Sequence, residues 1–295
     1  AVGNVSIVLF TGGEDISPTL YYSPEEWHGI EAEIDYNAER DVSDYLTMAY
    51  CLDNDIPLMG FCRGAQMLGV ISGGEVIQDI PTWFENQGIA YDYTHRNQKA
   101  TPESYRDYAP HTVQVAEGSW LFDIVGTDTL TGCPSWHHQA VKNVDNTRLA
   151  VTGYTETNGI PMIEALERTD KTFAVGLQFH PEAAVVKNLD GAVNKGNYMD
   201  YETALGVFQY IVEKSWLTLP SWSKSAEAKI AIMDYIAAVT DALEHIPPLG
   251  TGGCPAGRDL IVVTEVRHED VVGIHDIIVC PDIGNICAVN AVAYC

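Results

Sequence analysis

Residues 56–64 read Ile-Pro-Leu-Met-Gly-Phe-Cys-Arg-Gly, a short apolar run that passes directly into a helix-compatible stretch over residues 63–70. Only Cys62 separates the two, and it stands between Gly60 and Gly64. A strand that turns into a helix across one residue is a narrow condition on the fold. The turn forces strained backbone angles on the central residue, and neighbours two positions away must be small to avoid a clash. G-x-C-x-G at such a junction is the thiol form of the nucleophile elbow. It lifts the sulfur above the end of a sheet and sets it at a helix N-terminus, where unpaired N–H groups favour thiolate over thiol. The backbone N–H of Arg63 is then placed to receive a developing oxyanion.

The rest of the chain supplies alternating strands and helices. Residues 5–11 are apolar and β-branched and stop at Gly12-Gly13, which predicts a buried strand. Val42, Tyr45, Leu46 and Ala49 give residues 38–52 the spacing of an amphipathic helix. Further strands are expected at residues 113–115, 149–151, 162–165 and 173–179, and a helix over residues 201–216. Residues 83–110 are irregular and polar and predict a long loop over one edge. The alternation indicates an α/β domain with a largely parallel sheet. Pro220 and flanking serines break the pattern, so the expected division is a domain over residues 1–217 and a C-terminal extension over 218–295, helix first and then β-rich.

A thiol nucleophile needs a base, and the base an orienting acceptor. The predicted strand at 173–179 ends in His180-Pro181-Glu182. A histidine at a strand end of an α/β sheet lies where such sites assemble, and Glu182 is two residues away to accept from one ring nitrogen. Composition excludes other classes. The chain carries 41 acidic and 16 basic side chains, a formal charge of −25, which disfavours a phosphate-binding surface and with it nucleic acid. No run reaches the roughly 18 apolar residues that span a bilayer. Residues 1–10 have no basic n-region, and the expected location is the cytoplasm. Seven cysteines leave at least one thiol unpaired within the chain, and no C-x-x-C pair occurs. Cys254, Cys280, Cys287 and Cys295 crowd the tail, either as small buried hydrophobes or as disulfides.

Six segments in order resemble the class I glutamine amidotransferase superfamily, and more closely its γ-glutamyl hydrolase branch, peptidase family C26, which includes γ-glutamyl-γ-aminobutyrate hydrolases. They are residues 11–18 with Leu20-Tyr21, Glu39-Arg40-Asp41, residues 60–66, Gly73-Gly74 with Gln78-Asp79-Ile80, residues 135–141 and residues 176–182. The resemblance covers roughly residues 5–215. It implies a three-layer, flavodoxin-like sheet with helices on both faces. It also implies Cys62 as nucleophile, His180 as base, Glu182 as its orienter, backbone N–H groups of Gly13 and Arg63 as the oxyanion hole, and Gly12, Gln66 and His137 near the substrate. The expected reaction is hydrolysis of a γ-glutamyl amide through a thioester, with a small-molecule substrate and no cofactor or metal. A glutaminase subunit serving a partner synthase and a non-catalytic scaffold are the alternatives.

The pattern departs from the family at the start, where a strand, a helix and a second strand usually precede the glycine turn. Strands in the tail, at residues 260–266 and 276–279, or a second chain or subunit, are the expected substitutes; a homo-oligomer is compatible with either. Other near-motifs fail. Gly250-Thr251-Gly252-Gly253 precedes no helix, and Ser72-Gly73-Gly74-Glu75-Val76 lacks the Asp-Ser of a pyrophosphatase loop. His268-Glu269 with His275-Asp276 lacks H-E-x-x-H spacing.

Overall fold

The computed structural model describes residues 5–21, 36–96, 108–189, 197–215, 262–266 and 274–275. Elements follow in the order β1 (Val5–Phe10), a single 3-10 turn (Pro18–Leu20), α1 (Ala38–Asp53), β2 (Leu58–Phe61), α2 (Arg63–Ile71), β3 (Glu75–Ile77) and α3 (Ile80–Asn86). Then come β4 (Ala109–Val115), α4 (Trp120–Val125), β5 (Thr129–Ser135), β6 (Ala140–Asn143), β7 (Leu149–Thr157), β8 (Ile160–Arg168) and β9 (Ala174–Leu177). Helices α5 (Pro181–Leu189) and α6 (Tyr201–Ser215) and strands β10 (Val262–Val266) and β11 (Ile274–His275) complete the described chain.

Nine strands form one sheet in the order β11-β10-β1-β2-β9-β8-β7-β4-β5, and β3 pairs with β6 beside it. Side chains alternate across the sheet, as the two-residue period of a strand requires. Val8, Phe10, Leu58 and Ala174 pack on one face with Met48 and Leu52 of α1 and Met67 and Leu68 of α2. Ile7, Met59, Val175 and Leu177 pack on the other with Leu121 of α4, Ala183 of α5, and Ala204, Val207 and Ile211 of α6. The result is the expected three-layer α/β architecture, with helices on both faces.

Strand direction corrects the sequence reading. Only β1, β2 and β9 run parallel, with Phe10 opposite Gly60 and Gly60 opposite Gly176. Every other strand pairing among the described residues is antiparallel. The reason lies in a tight hairpin between β7 and β8, where Asn158 (φ 49°) and Gly159 (φ 79°) form the two-residue turn and Thr157 faces Ile160. Asn-Gly is the strongest short hairpin signal because both central residues must take positive φ. The expected loop over residues 83–110 is also shortened at both ends. Asp79 caps α3 by accepting from Thr82 N at 3.0 Å, Ile80 and Phe84 are its buried face, and β4 begins at Ala109.

Strand β10 pairs antiparallel with the outer edge of β1, Val8 opposite Val263, and β11 pairs with β10. A tail strand thus lies where the sequence left an edge open. The expected boundary near residue 217, the helix over 226–244 and the strand at 276–279 fall outside the described residues. No helix among the described residues is long and apolar enough to cross a membrane.

Glycines set the spacing of the parallel strands. A Cβ on Gly64 would lie 2.4 Å from the Phe10 carbonyl oxygen and 2.8 Å from Phe10 Cβ, so α2 packs on β1 only because that position is bare. Gly206 in α6 meets nothing within 4 Å. Gly64→Ala is expected to cost about 1–3 kcal/mol through overpacking, whereas Gly206→Ala is expected to stabilise by up to about 1 kcal/mol through helix propensity. Urea unfolding of the two variants checks the contrast.

Candidate active site

The three parallel strands end on the same edge of the sheet, and each delivers one part of the site. Strand β1 runs into Gly12-Gly13, β2 into Cys62 and β9 into His180. Ligands of open α/β sheets bind outside such carboxyl ends. Cys62 has φ 50° and ψ −105°, a rare conformation for a residue with a side chain. It is held from both sides: its N–H donates to the Leu177 carbonyl at 2.7 Å, and its carbonyl accepts from Gln66 N at 3.1 Å, which starts α2. A Cβ on Gly60 would lie 2.4 Å from the Gly64 carbonyl carbon. The two glycines of G-x-C-x-G therefore touch each other beneath the turn.

His180 is buried and is positioned by its N–H donating to the Pro134 carbonyl at 2.8 Å. Its Nδ1 lies 2.6 Å from Glu182 Oε1. The carboxylate accepts the Nδ1 proton and leaves Nε2, which makes no other hydrogen bond, for the sulfur. Burial alone would hold the imidazole down, but the Glu182 charge and Cys62 outweigh it and raise His180 well above its ordinary value. A protonated imidazole beside a sulfur stabilises negative charge there.

Gly12 lines the same space. A Cβ on it would sit 3.0 Å from His180 Cε1 and 3.4 Å from Cys62 Cβ, so its bareness lets β1 reach both groups. Gly13 has φ 148°, and a Cβ there would fall 1.8 Å from Arg40 Nη1. Arg40 grips this loop through Nη2, which donates to the Gly12 carbonyl at 2.7 Å and the Thr11 carbonyl at 3.2 Å, while Nη1 meets Glu14 Oε2 at 2.6 Å. In a trans peptide the Gly13 N–H points opposite to the Gly12 carbonyl, hence away from the guanidinium.

The Arg63 side chain takes no part at the site edge. It is fully buried and ion-paired with Asp44 and, at 2.6 Å, with Asp41. Only its backbone N–H, in the first turn of α2, belongs to the orphan donors of a helix N-terminus. Asp44 also meets Arg40 Nε at 3.3 Å, and Asp41 accepts from Ser17 N at 3.1 Å. This charged network carries the glycine loop on α1. The Glu39-Arg40-Asp41 motif marked it in the sequence, but nothing in the spacing revealed Asp44 or the clamp on Gly12. His138 adds a second brace between Asp15 (3.0 Å) and Asp79 (3.1 Å). Burial opposes its charge, and the two carboxylates outweigh burial and raise it to about 9.

Gln66 and His137 lie in the buried layer next to Cys62 and His180. Gln66 Nε2 donates to the Gln139 carbonyl at 2.9 Å and to Gln178 Oε1 at 3.2 Å. His137 Nδ1 lies 2.7 Å from the Gln139 carbonyl, and Nε2 faces Glu164 Oε1 at 3.7 Å. His95, His111 and Glu164 join it there, none of them anticipated from the sequence. Burial pushes His111 down to about 4 and lowers His137. Burial also opposes charge on Glu164, yet the surrounding imidazoles hold it well below the usual carboxylate range.

Residues 1–182 match the Peptidase C26 family model. The chain belongs to the peptidase C26 family. A glutamine amidotransferase-like protein of Rickettsia prowazekii is 30% identical over 208 residues, covering 60% of this chain and 69% of that one. A γ-glutamyl-γ-aminobutyrate hydrolase of Escherichia coli O157:H7 is 31% identical over 154 residues, which are 51% of this chain and 55% of the hydrolase. Among solved structures, a glutamine amidotransferase from Methylobacillus flagellatus shares 15% identity over 61% of this chain and 72% of its own, with a TM-score of 0.40.

The thiols of this C26 chain differ sharply in setting. Cys51 and Cys133 are fully buried, and desolvation pushes the first up to about 12 and the second well above its ordinary value. Cys62 faces His180, which despite its burial the Glu182 charge raises well above its ordinary value. Iodoacetamide is therefore expected to alkylate Cys62 first, with Cys51 and Cys133 protected until unfolding, as peptide mass mapping over a time course checks.

Proposed function

We propose that this C26 member is a cysteine hydrolase of γ-glutamyl amide bonds. The observation that carries the reading is the convergence of Cys62, His180 and Glu182 at the ends of adjacent parallel strands, with Gly12 against both reacting groups. The name of the Escherichia coli relative gives the bond class.

The Cys62 thiolate attacks the γ-carbonyl carbon, and the carbonyl electron pair moves to oxygen. The oxyanion is received by the N–H groups of Gly13 and Arg63, the first aimed by the Arg40 clamp and the second by the helix start. His180 gives its Nε2 proton to the amine nitrogen as the carbon–nitrogen bond breaks, and the amine departs. Water then attacks the thioester, losing its proton to His180. Collapse of the second tetrahedral adduct releases glutamate and restores the thiolate. Glu182 holds the imidazole in the orientation both half-reactions need and favours its charged form. No step calls for a cofactor.

Free glutamate released from a panel of γ-glutamyl amides and from glutamine, with no partner protein, tests the proposal. Turnover of γ-glutamyl amides above glutamine is expected; glutamine alone as substrate would indicate a glutaminase instead, and no turnover of either would exclude both. Cys62→Ala is expected to lose activity by several orders of magnitude. Glu182→Gln removes a charge that raises His180, so it is expected to act more mildly and to move the basic limb of the pH–rate profile to lower pH. A limb that stays put in Glu182→Gln would contradict the role given to that carboxylate.

A further inference from the structure

Four side chains from four separate segments meet in the interior beside the active site. His95 comes from the loop after α3, His111 from β4, His137 from the turn between β5 and β6, and Glu164 from β8. All are buried, and His95 and Glu164 have no exposed surface at all. His95 Nδ1 lies 2.9 Å from Glu164 Oε1, His137 Nε2 3.7 Å from the same oxygen, and His111 Nε2 3.5 Å from Oε2. None of these five atoms is aligned for a hydrogen bond. Buried polar atoms without an aligned hydrogen bond are costly and rare, and among the described residues these five have only one another as charged neighbours.

The opposite ring nitrogens are all secured. His95 Nε2 meets Thr157 Oγ1 at 2.8 Å, His111 Nδ1 meets Thr155 Oγ1 at 2.7 Å, and His137 Nδ1 meets the Gln139 carbonyl at 2.7 Å. The Gln139 carbonyl can only accept, and Thr155 Oγ1 already donates to the Thr112 carbonyl at 2.7 Å. His137 and His111 therefore donate outward and keep the inner nitrogen a lone-pair donor, and Thr157 Oγ1 admits the same tautomer of His95. The candidate ligand atoms of His95, His137 and Glu164 lie within 4.8 Å of one another. A tetrahedral zinc with bonds of about 2.0–2.1 Å sets its ligand atoms about 3.3 Å apart, inside the range of the observed pairs.

We propose that His95, His137 and Glu164 form a binding site for a first-row divalent transition-metal ion, with Zn²⁺ the best match to two imidazoles and a carboxylate, and that His111 holds the second carboxylate oxygen. His95 and Glu164 have no exposed surface, so burial keeps the ion away from substrate and its role is structural. It pins β8 to the two loops that carry His95 and His137, with β4 held through His111. Glu164 accepts from Gln178 N at 2.8 Å through its carbonyl, and Gln178 lies two residues before His180, so the ion braces the strand end that delivers the base.

The test uses the full chain, freed of any histidine tag, purified without chelator from medium containing zinc. Inductively coupled plasma mass spectrometry is expected to find one zinc per chain. Cobalt substitution is expected to give the visible absorption of a tetrahedral nitrogen–oxygen site without a thiolate charge-transfer band. Stripping the metal is expected to lower the melting temperature, and adding Zn²⁺ to restore it. His95→Gln and Glu164→Gln are each expected to weaken zinc binding by at least about 10–100-fold. If either variant fails to fold, the cobalt spectrum of the wild-type chain still decides. Metal lost in Cys62→Ala but kept in His95→Gln would place it on the catalytic pair and overturn the proposal. So would a folded chain that carries no metal and shows no melting shift with added Zn²⁺.

Discussion

A cysteine at φ 50° costs of order 1–3 kcal/mol of backbone strain, and it persists only where its surroundings over-determine it. Here the surroundings are the two neighbouring parallel strands. The Leu177 carbonyl of β9 takes the Cys62 N–H, Gly60 and Gly64 meet beneath the turn, and Gly64 lets α2 lie against Phe10 of β1. The same three strands also lead into the Gly12-Gly13 turn and His180. The packing that tolerates the strain is thus the packing that brings the glycine loop, the thiol and the histidine to one edge.

Two arginines stabilise that edge from below. Arg63 sits at the start of α2 and Arg40 in α1, and they share Asp44. Ion pairs so deeply buried contribute little net stability against a well-packed apolar alternative, but losing one partner costs about 3–5 kcal/mol because a charge is left uncompensated. Their value lies in geometry. Arg40 fixes the Gly12 carbonyl and so the direction of the following N–H, and Arg63 fixes α2 against α1. An apolar cluster would fill the same volume without specifying which way a peptide plane faces.

The elements legible in the sequence were those whose signal is local. Residues 5–11, 56–61 and 201–216 announced β1, β2 and α6 through apolar periodicity, and G-x-C-x-G announced the turn between β2 and α2. The antiparallel half of the sheet is less legible because the apolar residues of β7 and β8 fall into short separate runs, and its one local signal is the Asn158-Gly159 turn. The pairing of β10 with β1 joins residues about 250 positions apart, which no periodicity encodes. The proposed triad was half legible: each member sits at a strand end or in a short motif. The clamp of Arg40 on Gly12, and the meeting of His95, His111, His137 and Glu164, depend on chain segments far apart in sequence. None of those histidines has a ligand-like spacing to another.

Two histidine–carboxylate arrangements lie close together in this fold and behave in opposite ways. Glu182 is about a quarter exposed, and it favours the proton on His180. Glu164 has no exposure, and its charge is sustained by the imidazoles packed around it. Among those imidazoles, desolvation wins at His111 and His137 and keeps both low. The difference is one of number as well as depth. A single carboxylate can hold one neighbouring imidazole protonated, but three imidazoles around one carboxylate repel one another as cations, so most must be neutral. A neutral imidazole that donates outward to an oxygen is a lone-pair donor, whereas one whose proton a carboxylate favours is better suited to give a proton away. The two arrangements are joined through Gln178, whose N–H donates to the Glu164 carbonyl and which precedes His180 by two residues.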